Sequence, residues 1–185
     1  MNKLRKLGIA TLCPLALINT AHAAPVTLAL TPGNMLAQTH SHAIILSITG
    51  TYQQLSGTLN YDPAAKTCRI NVTFIVRSLT APNAFMRSQT MSKGFLDPAD
   101  YPQTRYTGTC EGGQLVGNLS LRGQTHPFNM RLTYEGTDAQ PTAIHAEGTL
   151  NRYEWGVNGL GMTVGKNIRV TNDISLTGKP PIPPG

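Results

Sequence analysis

The chain has 185 residues, 40% of them hydrophobic and 13% charged, with 15 Lys and Arg against 9 Asp and Glu. That composition fits one globular domain with a sizeable core and excludes a disordered chain. The cations are scattered without a basic run, which excludes the footprint of a DNA or RNA binder.

Lys3, Arg5 and Lys6 precede an apolar stretch from Leu7 to Ile18, and Ala21-His22-Ala23 offers a small-x-small cleavage site. Residues 1–23 therefore read as a cleaved secretory signal, with the mature chain starting at Ala24. At about 12 residues, broken by Pro14, the stretch is shorter than the roughly 20 that a spanning helix needs, so no stable membrane insertion is expected. Leu12 is too bulky for the position before a lipidated Cys13. Without residues 1–23, 12 Lys and Arg face 9 Asp and Glu, a formal charge of +3. The expected compartment is the periplasm. Cys68 and Cys110 are the only cysteines left, and an even count in an exported chain favours a disulfide over two buried thiols.

From residue 44 to residue 176 the dominant pattern is period-two alternation, the mark of strands with one apolar and one polar face. Ile44, Leu46 and Ile48 share one face. Ile70, Val72, Phe74 and Val76 oppose Arg69, Asn71, Thr73 and Arg77, and Phe128, Met130, Leu132 and Tyr134 oppose Asn129, Arg131, Thr133 and Glu135. Ile144, Ala146, Gly148 and Leu150 oppose His145, Glu147, Thr149 and Asn151. Ile168, Val170, Ile174 and Leu176 oppose Arg169, Thr171, Asp173 and Ser175. Turn signals separate the runs at Asp62-Pro63, Glu111-Gly112-Gly113, Arg122-Gly123 and from Glu135-Gly136 to Asp138. Between Ala81 and Pro102, Asn83 is placed to cap one short helix reaching about Ser92. Residues 179–185 are too Pro-rich to pair in a sheet and read as a loose tail.

These runs predict an all-β fold of about eight antiparallel strands with one short helical insertion, spanning residues 24–178. Apolar faces on every strand are best hidden by closing the sheet into a barrel, whose interior either fills with side chains or holds one small ligand. Gly117, Ala146 and Gly148 fall at inward positions between larger apolar neighbours, which suggests a hollow.

Asn83-Ala84-Phe85-Met86-Arg87 followed by Gly94-Phe95-Leu96-Asp97-Pro98-Ala99-Asp100-Tyr101-Pro102 resembles the YceI family's Arg, Phe-x-Asp and Tyr-Pro pattern. Gly117-Asn118-Leu119-Ser120-Leu121-Arg122-Gly123-Gln124-Thr125-His126-Pro127 looks like the family's hairpin, with Ser120 in place of a Thr. Asn151-Arg152-Tyr153-Glu154-Trp155-Gly156 looks like its Arg-x-x-aromatic-Gly element. His40-Ser41 approximates the family's His-Ser element, whereas a His common further on is replaced by Thr49-Gly50. The resemblance covers roughly residues 42–177. It implies a periplasmic, lipocalin-like barrel that binds a long isoprenoid chain, without catalysis, metal or cofactor.

On that reading the ligand-lining positions are Phe74, Val76, Leu119, Leu121, Phe128, Met130, Leu132, Ile144 and Ala146. Arg87 and Arg152 are candidates to hold a phosphate or quinone head group, or else to pair with Asp97 or Glu154. Phe95 and Tyr101 either flank the mouth or plug it. His40 and His42 share a strand face without a third ligand at a diagnostic spacing, and His126 and His145 are expected to be exposed. No nucleophile elbow, Cys-x-x-Cys or His-Glu-x-x-His occurs, so an enzyme on a hydrophobic substrate is one rival and a structural stress-response protein with a filled barrel another. A homodimer is left open.

Overall fold

Alternation begins at Val26, well before the point where it stands out in the sequence. The computed structural model describes residues 24–181 apart from 45, 138, 139 and 162; the expected signal at 1–23 and the tail tip at 182–185 lie outside the described residues. The strands are β1 (Val26–Leu30), β2 (Met35–Ala43), β3 (Leu46–Thr51), β4 (Leu55–Asp62), β5 (Thr67–Ile75), β6 (Gln103–Glu111), β7 (Gln114–Leu121), β8 (Gln124–Pro127), β9 (Met130–Thr137), β10 (Gln140–Asn151) and β11 (Asn167–Ser175). They form one sheet in the order β1-β4-β5-β6-β7-β9-β10-β11-β2-β3, with β8 on β7, and every pairing is antiparallel.

Residues 31–34 interrupt the first arm and residues 52–54 the second. Because β1 pairs β4 and β2 pairs β3, the four segments make one broken hairpin that brings the two ends of the curled sheet together. Counted by arm, this gives the expected eight staves of a lipocalin-like barrel. The first arm was not legible as a strand because its inward residues past Met35 are Ala37, Thr39, Ser41 and Ala43, too small or polar to register as an apolar face. The helical insertion is α1 (Ala84–Thr90), where the Asn83 side chain accepts from the Met86 N–H at 2.9 Å as an N-cap. Val76 lies just past β5 in a 3-10 turn (Val76–Ser78), not on the strand.

One end of the barrel carries the tight turns at 31–34, 63–66 and 112–113. Above it Leu30, Leu59, Tyr61, Leu132 and Ile144 are buried, and the Tyr61 and Tyr134 rings stack with centroids 6.1 Å apart. Cys68 and Cys110 are bridged here across β5 and β6, with Cα atoms 4.8 Å apart. The opposite end is built from longer pieces: the β2–β3 turn, the segment 76–102, the Arg122-Gly123 turn and the loop 152–166. Replacing both cysteines by serine is expected to lower stability by about 4 kcal/mol, from the entropy of the loop they close. Denaturant unfolding of oxidised wild type against the double variant reads this directly, and equal midpoints would rule the contribution out.

The outer face of β11 departs from expectation. Thr171, Asp173 and Ser175 are buried rather than solvated. His145, expected to be exposed, is half-buried and lies directly across from Asp173, with Nδ1 2.5 Å from its carboxylate. Glu147 lies between Arg131 at 3.9 Å and Arg169 at 3.5 Å, and His40 bonds Thr49 and Thr171. Burial, then the Arg169 charge, lowers the His40 pKa. Central strands with polar neighbours on both sides satisfy their side chains on one another instead of on water.

Candidate functional site

Inward-facing side chains line a cavity of about 430 Å³, within the range of small-molecule sites. Its walls come from Met35, Ala37 and Thr39 on β2, Ile48 on β3, Ile70, Val72 and Phe74 on β5, Leu119 and Leu121 on β7, Ala146 and Leu150 on β10, and Ile168, Val170 and Ile174 on β11. Phe128 and Met130 close one side; Leu79, Met86, Phe95, Leu96 and Val157 form the roof near the mouth.

Of the three small residues that suggested a hollow, Ala146 lies on its wall, whereas Gly117 and Gly148 do not open it. A Cβ on Gly117 would lie 2.3 Å from the Thr107 carbonyl and 2.6 Å from the Tyr106 hydroxyl, and one on Gly148 would lie 2.8 Å from Phe128 and Met130. Those glycines are already filled by the rings and backbone beside them. Tyr106 shares its hydroxyl proton between the Leu115 and Phe128 carbonyls at 3.2 and 3.0 Å, locking the packing. Space opens instead along one row across three strands, where Asn172 on β11 has Ala146 on one side and Ala37 on the other.

Of the residues singled out from the sequence, Phe74, Phe95, Leu119, Leu121, Phe128, Met130, Ala146 and Arg152 border the cavity. Val76, Leu132 and Ile144 are buried in the core but away from it, Leu132 and Ile144 towards the tight-turn end. Arg87 faces away and donates from Nη2 to the Arg77 carbonyl at 2.7 Å. Tyr101 is also off the cavity, with the Arg122 guanidinium 5.3 Å from its ring. Arg122, which reads in the sequence only as part of a turn, donates to the Lys93 and Phe95 carbonyls and ties the roof segment to the barrel.

Among the described residues Arg152 pairs with no carboxylate. Its Nε donates to the Gly165 carbonyl, Nη1 to those of Val157 and Gly159, and Nη2 to that of Val164 and to the Tyr153 hydroxyl, at 2.6–3.4 Å. All five N–H donors are thus taken up by the loop that follows it. Phe95 and Tyr153 lie against its face at 5.6 and 4.6 Å. Trp155, from the same motif, donates its Nε1–H to the Leu119 carbonyl at 3.1 Å and fixes the loop to β7.

Among the described residues Arg152 is the only charged one on the wall, so the free polar groups that face the cavity are neutral. Thr104 Oγ1 is buried beside the Tyr52 phenol and makes no well-formed hydrogen bond among the described residues. The buried Asn172 carboxamide has a weak partner, Nδ2 donating to Met130 Sδ at 3.5 Å. Burial pushes the Tyr52 phenol up to about 12, so it stays a neutral donor. Among the described residues no three His, Cys, Asp or Glu side chains gather as a metal set, and no helix is long and apolar enough to cross a membrane.

The family model described as the YceI-like domain matches residues 19–176. The chain belongs to the YceI-like family. Its relatives in that family include a UPF0312 protein of Pseudomonas syringae pv. tomato, 30% identical over 135 residues that cover 66% of this chain and 70% of the relative. Another, from Pseudomonas fluorescens, is 28% identical over 150 residues, covering 75% and 77%. Among solved structures the fold is similar to that of Burkholderia cenocepacia BcnA, at a TM-score of 0.63 and 16% identity over 76% of this chain and 94% of that one. It is also similar to a polyisoprenoid binding domain from Saccharophagus degradans, at a TM-score of 0.58 and 11% identity over 80% and 98%. The YceI-like assignment and the apolar cavity together point to hydrophobic ligand binding in general. The disulfide is the chemistry of a non-cytoplasmic, oxidising compartment.

Proposed function

We propose that this protein sequesters or carries an isoprenoid-type lipid in the periplasm, with the hydrocarbon chain in the barrel and no chemical step. The observation that carries this reading is an apolar cavity open at one end, whose unengaged polar groups are neutral hydroxyl and carboxamide groups. Each buried CH₂ contributes roughly 0.8 kcal/mol, so a chain of a few isoprene units is retained through purification. A head group bearing a hydroxyl or a quinone carbonyl suits Asn172, Thr104 and Tyr52. A phosphate finds no free cation there, because Arg152 is engaged and Arg87 faces away. The polyisoprenoid binding domain from Saccharophagus degradans, similar in fold, supports the choice of ligand class.

Native mass spectrometry of the mature protein tests the reading. The expected spectrum shows an added mass that organic extraction releases as an isoprenoid lipid. The bare chain mass alone would instead support a filled, ligand-free barrel. Asn172→Leu is expected to weaken binding of a polyprenol roughly threefold to tenfold while leaving squalene, an isoprenoid without a hydroxyl, unchanged. Equal losses for both in a fluorescence-displacement titration would remove Asn172 from head-group recognition.

A further inference from the structure

Six large hydrophobic side chains are left exposed among the described residues, and four of them ring one feature. Ile44 is 79% exposed, Phe85 71%, Leu46 51% and Leu160 47%, and all four border the cavity mouth. They come from three separate segments: the β2–β3 turn and its strand, α1, and the loop after Trp155. A fifth, Tyr153, shares a shallow groove with Ile44 and Lys166 beside the mouth. Scattered surface hydrophobics need no explanation, but apolar side chains converging on one opening do. Ile44 sharpens the point, because it holds φ +41°, a left-handed conformation that a β-branched residue rarely adopts. Turn chemistry alone would favour Gly or Asn there.

Charge at the same end has one sign in excess. The segments that build it carry Arg77, Arg87, Lys93, Arg122, Lys166 and the buried Arg152, against Asp100, Glu154 and the buried Asp97. At the tight-turn end, Asp62, Glu111 and Glu135 offset Lys66, Arg69 and Lys179.

We propose that the open end of the barrel docks reversibly on an anionic lipid bilayer, with Ile44, Leu46, Phe85 and Leu160 in the interface and the surrounding cations over the head groups. This rests on the lipid-holding reading and extends it to how cargo enters. An apolar rim seated in the interface lets a hydrocarbon chain pass between bilayer and cavity without crossing water. Cations near an anionic surface add attraction that salt screens.

The test is flotation of the mature protein with vesicles of phosphatidylethanolamine and phosphatidylglycerol, compared with vesicles of phosphatidylcholine alone. The expected result is binding to the anionic vesicles, weakened by salt and much weaker on phosphatidylcholine. Ile44→Ser with Phe85→Ser should reduce the partition by about tenfold per side chain, with an unchanged melting temperature because both residues are exposed. Wild-type protein that ignores anionic vesicles overturns the docking, and so does a double variant that binds as well as wild type. Native mass spectrometry of the same preparations separates the two readings. A chain that carries lipid but binds no vesicle loses only the docking, whereas one that binds through these residues and never carries lipid loses the lipid-holding reading.

Discussion

Ala146→Trp is expected to leave the barrel folded and to empty it of lipid. Ala146 is buried on the cavity wall, across from Asn172 on one strand and Leu132 on the other. An indole added there extends into a space of about 430 Å³ rather than into packed atoms. Overpacking a filled core costs typically about 1–3 kcal/mol, and where a void receives the ring most of that strain is absent. The same volume is denied to the ligand. The measurement is a thermal melt together with lipid stoichiometry by native mass spectrometry, and the expected pair is a near-native melt with little or no lipid. Gly148→Trp, two residues along on the same face, is the contrast: its Cβ already meets Phe128 and Met130 at 2.8 Å, so it should unfold the protein. Unchanged stoichiometry in Ala146→Trp would place bound lipid outside this cavity.

Arg152→Ala is expected to destabilise the fold by about 3–5 kcal/mol, as befits the loss of a buried charged group that bonds its whole surroundings. The guanidinium holds the carbonyls of Val157, Gly159, Val164 and Gly165 around one centre, and without it the buried Val157 oxygen and its three partly buried neighbours lose their donors. Arg152→Lys keeps the charge but has three donors on a point-like head, so it cannot serve the same set of acceptors and should recover only part of the loss. Urea unfolding of the three proteins gives the order wild type, Lys, Ala. A lysine variant as stable as wild type would show that charge rather than geometry holds the loop. Because Val157 and Leu160 on this loop border the cavity, lipid retention should fall with stability in the same order.

Much of this was legible before any coordinates. Strands such as β5 and β10 announce themselves because one wall is apolar and the other polar, and Asn83 marks the helix start because its side chain is suited to capping. The Cys68–Cys110 pairing was readable because they are the only two cysteines left once residues 1–23 are read as a cleaved signal. What escaped notice did so for physical reasons. The first arm was hidden because a wall that leaves room for a ligand is built from Ala37, Thr39 and Ser41, which do not look like core. Gly117 and Gly148 misled because a missing side chain in sequence says nothing about which neighbour takes its place; Tyr106 on β6 and Phe128 between β8 and β9 do. Arg152 was recognisable by its motif, but carbonyl partners are shared by all residues and leave no trace in a sequence. The burial of His145 against Asp173 depends on cross-strand register, which alternation alone does not fix.

The position of the disulfide has a consequence for the covalent path of the chain. Bridging Cys68 to Cys110 closes a ring that contains the 3-10 turn, α1 and the entire roof segment from 76 to 102. The roof is therefore a loop tethered at both ends to one clasp, with β5 and β6 joined below it. A protease that cuts beside exposed Phe85 would yield two fragments held together by the bridge, migrating as one species until a reductant is added. Damage to this exposed segment would then leave the container intact.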